Sequence, residues 1–170
     1  MSDNKELVKF SGINEKKPIL SVALKLLSVR DRSVKDMKNA LMKKSYEKDE
    51  IEAVLQQLIE EGYLNDHRTA NFWANCLFDT GQYGVYGISR KLIERGIPED
   101  LSLCASNEVY EGNDEYEFAI VIAGKKASGI RDKKKAERVI SNYLMRHGFS
   151  SSTIYRVMKS IGSEEFFDVT

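Results

Sequence analysis

Little in this sequence can punctuate a chain. Two prolines and eleven glycines are spread over 170 residues, and so few breaks favour helices over a sandwich of short strands. Cys76 and Cys104 are the two cysteines. They are too few for a disulfide framework and are expected as reduced core thiols. No window holds the roughly 18 apolar residues of a membrane span. The polar stretch Met1 to Lys17 lacks the apolar centre of a signal peptide, so residues 1–17 are read as a loose leader and the protein as cytoplasmic. Acids and bases balance at 26 each. The chain as a whole therefore has no pull on nucleic acid or an anionic membrane, and any attraction must come from local asymmetry.

Chemistry-bearing patterns are equally scarce. His67 and His147 are the two histidines, and neither has a carboxylate or thiol at metal-ligand spacing. Gly81, Gly84 and Gly87 lack the preceding strand and the Gly-Lys-Ser/Thr ending of a phosphate loop, and read as an interhelix loop. Aspartates and glutamates are scattered, with no pair placed for acid–base work. No catalytic residue, cofactor or metal site is expected, and the protein reads as a binding protein rather than an enzyme.

What the chain does have is helical periodicity. Pro18 suits a first helical turn, and Ile19 to Val29 is apolar on most sides, as in a central buried helix. Ser33 is a good N-cap for the helix carrying Val34, Met37 and Leu41. Ile51, Val54, Leu55, Leu58 and Ile59 share one face, which Gly62 terminates. Asp66 reads as the next N-cap, with Ala70, Trp73, Ala74 and Leu77 on one side of the helix that follows. Ile88, Leu92 and Ile93 lead into Gly96, and Pro98 opens a helix with Leu101, Cys104 and Ala105. Ala136, Val139, Ile140, Tyr143 and Leu144 form another face, and Ile154, Val157, Met158 and Ile161 the last. Phe72, Trp73 and Phe78 are expected in the core. Nine helices are predicted near 18–29, 33–44, 47–61, 66–79, 85–95, 98–110, 114–128, 132–147 and 150–161.

The pattern repeats. Lys44-Ser45-Tyr46, Arg95-Gly96-Ile97 and His147-Gly148-Phe149 each follow a helix ending in basic residues and precede an apolar helix, at spacings of 51 and 52. A fixed period of helix, helix, tight turn, helix marks a repeat array. The expected fold is all-α: three tandem three-helix repeats, at 18–64, 65–112 and 113–162, forming an elongated, curved array, with an acidic tail at 163–170. Such units bury their apolar faces on neighbours and offer a long concave surface rather than a deep pocket.

Charge is unevenly shared. Residues 113–162 hold ten Lys or Arg against five acids, and residues 65–112 hold four against seven. The densest basic run is Lys125, Lys126, Arg131, Lys133, Lys134, Lys135 and Arg138. On the helix at 132–147, Lys135, Arg138 and Arg146 face away from the apolar stripe. Such a face can hold a phosphate backbone or an acidic protein surface, or can simply be solvated.

Three segments resemble the RecX family, regulators of the bacterial RecA recombinase. They are Ile51-Glu52-Ala53-Val54-Leu55-Gln56-Gln57-Leu58 through Asp66 with Arg68, Ala70 and Trp73; Gly87-Ile88-Ser89-Arg90-Lys91-Leu92-Ile93-Glu94-Arg95-Gly96-Ile97; and Leu144-Met145-Arg146-His147-Gly148-Phe149-Ser150 with Ile154 and Val157. The resemblance covers about residues 19–161. It departs from the family at Ser45, where glycine is usual, in the arginine-poor loop 79–87 and in the acidic stretch 106–117. It implies three tandem three-helix repeats that bind in the groove of the RecA–DNA filament. It also implies inhibition of filament growth, ATP hydrolysis, strand exchange and co-protease activity, hence a part in recombination, DNA repair and the SOS response. The partner it implies is the RecA filament, with single- or double-stranded DNA as a second partner, no membrane, and a monomeric protein. The candidate contact residues are Lys125, Lys126, Lys133, Lys134, Lys135 and Arg138, with Arg90 and Lys91 as a second patch. Two alternatives stand beside this: a helical repeat protein acting directly on nucleic acid, and a general protein-interaction scaffold.

Overall fold

The computed structural model describes residues 17–162, and all secondary structure among them is helical. Of the expected leader only Lys17 is described, and the acidic tail lies outside the described residues. The helices are α1 Ile19–Leu27, α2 Val34–Met42, α3 Lys48–Glu60, α4 Asp66–Asp79, α5 Val85–Glu94, α6 Glu99–Tyr110, α7 Glu115–Ala127, α8 Lys133–Arg146 and α9 Ser151–Gly162. Each lies within two residues of its expected position.

Local chemistry sets the boundaries. Ser33 Oγ accepts from the Asp36 N–H at 3.0 Å, and the Asp132 carboxylate accepts from the Lys135 N–H at 3.1 Å, each satisfying a donor left unpaired at a helix start. Glu47 and Glu50 form a reciprocal capping box on α3. Asn65, rather than Asp66, caps α4; Asp66 is its first helical residue and is engaged elsewhere.

Packing runs within consecutive triplets: every pair among α1–α3, among α4–α6 and among α7–α9 is in contact. Buried residues fall into three clusters. Met37, Leu41, Ile51, Val54, Leu55 and Leu58 centre the first, Ile88, Leu92, Ile97 and Ala105 the second, and Ile140, Leu144, Val157 and Ile161 the third. Phe118 of α7 packs against the second and third clusters, its ring 5.0 Å from that of Phe78. Several expectations need correction. In α1 only Ala23 is buried and Val29 is exposed, because among the described residues the helices that pack closely on α1 are α2 and α3, against one side of it. Ile59 and Phe72 are exposed at the edges of their helical faces. Cys104 is exposed as well: α6 buries Ser102, Ala105 and Ser106, and the cysteine falls outside that strip, with its Sγ 3.2 Å from Glu108 Oε1.

The recurrent small residues share one backbone role. Ser45, Gly96 and Gly148 have φ of 62°, 84° and 70°, the left-handed turn that ends the second helix of each triplet. Ser45 is the one described non-glycine residue with positive φ.

Candidate interaction surface

The triplets are joined by two junctions of the same design. At the first, Ser33 Oγ at the start of α2 donates to the Arg95 carbonyl at the end of α5, 2.8 Å, and the Val34 N–H donates to Asp66 Oδ1, 2.9 Å. At the second, the Gly84 N–H at the start of α5 donates to the His147 carbonyl after α8, 3.0 Å, and the Val85 N–H donates to Glu115 Oε1, 2.9 Å. In both, the first residue of one triplet's opening helix places a carboxylate on the N-terminus of the preceding triplet's second helix, where the helix dipole favours a negative charge.

The second junction is the tighter. Glu115 Oε2 also accepts from the Ser150 N–H at 3.1 Å and the Ser150 hydroxyl at 2.6 Å, so this buried carboxylate serves the starts of both α5 and α9. A Cβ on Gly87 would land on the His147 carbonyl, and one on Gly148 on the Gly87 backbone; only glycine permits this approach. Burial, with the nearby Glu115 charge, pushes the Tyr110 phenol well above its ordinary range, and its hydroxyl donates to the Tyr83 carbonyl at 2.5 Å. At the first junction, partial burial raises the Asp66 carboxyl above its usual value, against the pull of the Val34 N–H.

The expected basic run lies on the solvent side of α7 and α8. Lys125, Lys126, Lys133, Lys134, Lys135 and Arg138 are all exposed. Lys134, Lys135 and Arg138, with Asp132, line an open depression of about 330 Å³. Lys125, Lys134, Lys135 and Arg138 have no ion-pair partner among the described residues. Lys125 and Lys126 end α7, where cations suit the dipole, and Lys126 Nζ sits 4.3 Å over the Tyr143 ring. Lys133, Lys134 and Lys135 are the opposite case. They fill the first turn of α8, which carries no acid, where the dipole disfavours positive charge. Lys134 and Lys135 have no ion-pair partner among the described residues to offset this, and a local rule broken without structural gain points to function.

The second expected patch behaves differently. Arg90 is exposed and donates to the Arg146 carbonyl at 2.5 Å, which places it at the C-terminal end of α8. That is roughly 20 Å from the lysine-rich start, at 1.5 Å per residue. Lys91 is paired with Glu94 at 2.8 Å and half-buried, which leaves it less available. His147 stacks on Tyr143, centroids 3.8 Å apart, in a structural role. The junction carboxylates Asp66 and Glu115 were missed by reading along the chain, since their partners lie 32, 30 and 35 residues away.

Among the described residues no three His, Cys, Asp or Glu side chains gather as a metal site requires, and no helix is long and apolar enough to cross a membrane. Helix triplets joined by polar junctions, with exposed cations and shallow depressions, define an all-helical protein. A family model described as RecX, first three-helix domain, matches residues 20–58. The regulatory protein RecX of Trichlorobacter lovleyi is 26% identical over 152 residues, covering 88% of this chain and 99% of that one. That of Clostridioides difficile is 29% identical over 176 residues, covering 96% and 82%. The crystal structure of RecX from Lactobacillus salivarius superposes with a TM-score of 0.75 at 22% identity, over 84% of this chain and 94% of that one. Over most of its length the chain is similar to RecX proteins in sequence and in fold.

Proposed function

We propose that this protein is a regulator that binds the RecA–DNA filament and suppresses its growth, ATPase, strand exchange and co-protease activity. Its relatives bear the name regulatory protein RecX, which supports a regulatory role. Within the molecule, the observation that carries the reading is the exposed, lysine-filled first turn of α8, at the end of a helix where the dipole disfavours positive charge. A filament that presents phosphates and acidic side chains along a groove repays that arrangement through Coulomb attraction and counterion release. Each buried cluster is taken as the core of one repeat, bounded at 18–64, 65–112 and 113–162, in a cytoplasmic monomer that acts by binding, without cofactor or catalysis.

The deciding measurement is the rate of ATP hydrolysis by RecA on single-stranded DNA with and without this protein. A dose-dependent fall supports the reading, and an unchanged rate with no filament binding overturns it. Direct action on nucleic acid is the second reading, favoured by the open cationic depression at Asp132, Lys134, Lys135 and Arg138. A salt-dependent shift of naked DNA, without RecA, would select it.

A further inference from the structure

The left-handed turn residue that ends the second helix of each triplet puts α2, α5 and α8 in register. Three residues before it stand Met42, Ile93 and Met145; six before, Asn39, Arg90 and Asn142; ten before, Lys35, Tyr86 and Arg138. Offsets of three and four residues place each trio on one side of its helix, and all nine side chains are exposed. A single exposed aliphatic residue means little. Met42, Ile93 and Met145 are 57%, 42% and 53% exposed at the same register position of three helices, and that recurrence needs a reason.

The trios adjoin one another. Lys35 and Asn39 of α2 share a depression of about 240 Å³ with Ile93 of α5, and Gly96 sits against Ser33 and Lys35. Arg90 of α5 reaches the Arg146 carbonyl, next to Met145, while the first turn of α5 is bonded to the turn after α8. The second helices thus form one ridge across all three triplets. Charge concentrates there too. Residues 34–44, 85–95 and 133–146 carry twelve lysines and arginines against three acids, whereas α3 and α6 together carry one against seven. Two of the three ridge acids are already engaged, Asp36 by Arg30 and Arg32, and Glu94 by Lys91.

We infer that this ridge is the docking surface for an acidic protein whose own surface repeats, each triplet gripping one repeat. The inference rests on the filament reading above and deepens it: contact extends from the start of α8 to all three second helices. The residue types favour a protein over a nucleic acid. Methionine, tyrosine and arginine are enriched at the cores of protein interfaces, whereas a phosphate backbone is held by cations and hydrogen-bond donors and has no use for Met42, Ile93 or Met145. The apolar tips fill pockets on the partner, Asn39, Arg90 and Asn142 supply hydrogen bonds beside them, and the surrounding cations steer the encounter. Equivalent trios on one chain suit equivalent sites on a polymer, and occupying them together multiplies affinity.

The test replaces the tips with serine, as Met42→Ser, Ile93→Ser and Met145→Ser, singly and together. Binding is measured to RecA filaments on single-stranded DNA and to the naked DNA. Because the positions are exposed, thermal melts of the variants should match wild type. Each single variant is expected to weaken filament binding about 3–10-fold and the triple variant about 100-fold or more, with naked-DNA binding and salt dependence unchanged. Asn39→Ala with Asn142→Ala reads the same surface without touching apolar atoms and is expected to weaken binding about 10-fold. A triple variant that binds filaments within about twofold of wild type overturns the ridge alone. Loss confined to one single variant overturns the repetition, and parallel loss on naked DNA transfers the ridge to nucleic acid. Wild-type protein that binds no filament overturns the functional reading and the ridge with it.

Discussion

Glu115 offers the sharpest test of how the triplets are held together. Its side chain is 8% exposed, and three donors converge on it: Val85 N–H, Ser150 N–H and the Ser150 hydroxyl. Glu115→Ala removes all three acceptor contacts, leaving the Val85 N–H at the start of α5 without its acceptor and Ser150, whose hydroxyl caps α9 through the Thr153 N–H, without its anchor. Loss of one cap costs about 0.5–2 kcal/mol, and hydrogen bonds to a charged group run higher, at about 1.5–3 kcal/mol each. These contacts share one carboxylate, so they do not sum fully, and the expected loss is about 2–4 kcal/mol. For a protein of this size that lowers Tm by roughly 4–16 °C. Glu115→Gln keeps the acceptor for Val85 but turns an amide donor toward the Ser150 donors, for an expected loss of about 1–2 kcal/mol. Ser150→Ala in the Glu115→Ala background should cost less than it does in the wild type, because only the cap that the Ser150 hydroxyl gives the Thr153 N–H, worth about 0.5–2 kcal/mol, remains to be lost. Urea midpoints of the four proteins measure this coupling. A loss below about 1 kcal/mol for Glu115→Ala, or full additivity with Ser150→Ala, would refute the view that one carboxylate clamps two helix starts.

Three further predictions follow the same logic. The triple reversal of Lys134, Lys135 and Arg138 to Glu should leave Tm unchanged or raise it slightly, because acids suit the first turn of α8 by about 0.3–1 kcal/mol each. It should weaken inhibition of RecA ATPase, most at low salt where screening is least, and equal inhibition at low salt would reduce the cluster to a solvated face. Burial raises the Asp66 carboxyl, so its stabilising contribution is present below the ordinary aspartate value and is lost as pH rises through its elevated folded value. Asp66→Asn keeps an acceptor for Val34 without the charge, so urea midpoints should shift in its favour as pH climbs from about 4 to 7. A pH-independent difference would contradict that account. Leu144→Ala, at a side chain with no exposure, should cost about 2–5 kcal/mol by denaturant midpoint, and a loss under about 0.5 kcal/mol would mean the site is not packed as it stands.

The helices were legible along the chain because what makes them is local. Apolar residues at three- and four-residue offsets, Ser33 and Asp132 at helix starts and the turns at Ser45, Gly96 and Gly148 all act within one or two turns of backbone, and the helices lie where those signals put them. The basic run was legible as charge and as exposure, since Lys135 and Arg138 fall opposite Ala136, Ile140 and Leu144 on α8. Burial of α1 was misread for a related reason: apolar content says that a helix can be covered, and only the packing of α2 and α3 against one side of it decides how much is covered. What the chain could not disclose is what one triplet does to the next. Asp66 reads as a cap by its position, yet it serves a helix start 32 residues away, and Glu115 looks like any first-turn acid until α5 and α9 are brought to it. The ridge of α2, α5 and α8 is of the same kind. Its residues recur in the sequence, but their union into one surface depends on the meeting of helix ends 62 residues apart, where Ser33 reaches Arg95. Periodicity and capping are short-range and survive in one dimension; a junction is a coincidence of distant groups, fixed only when the chain folds.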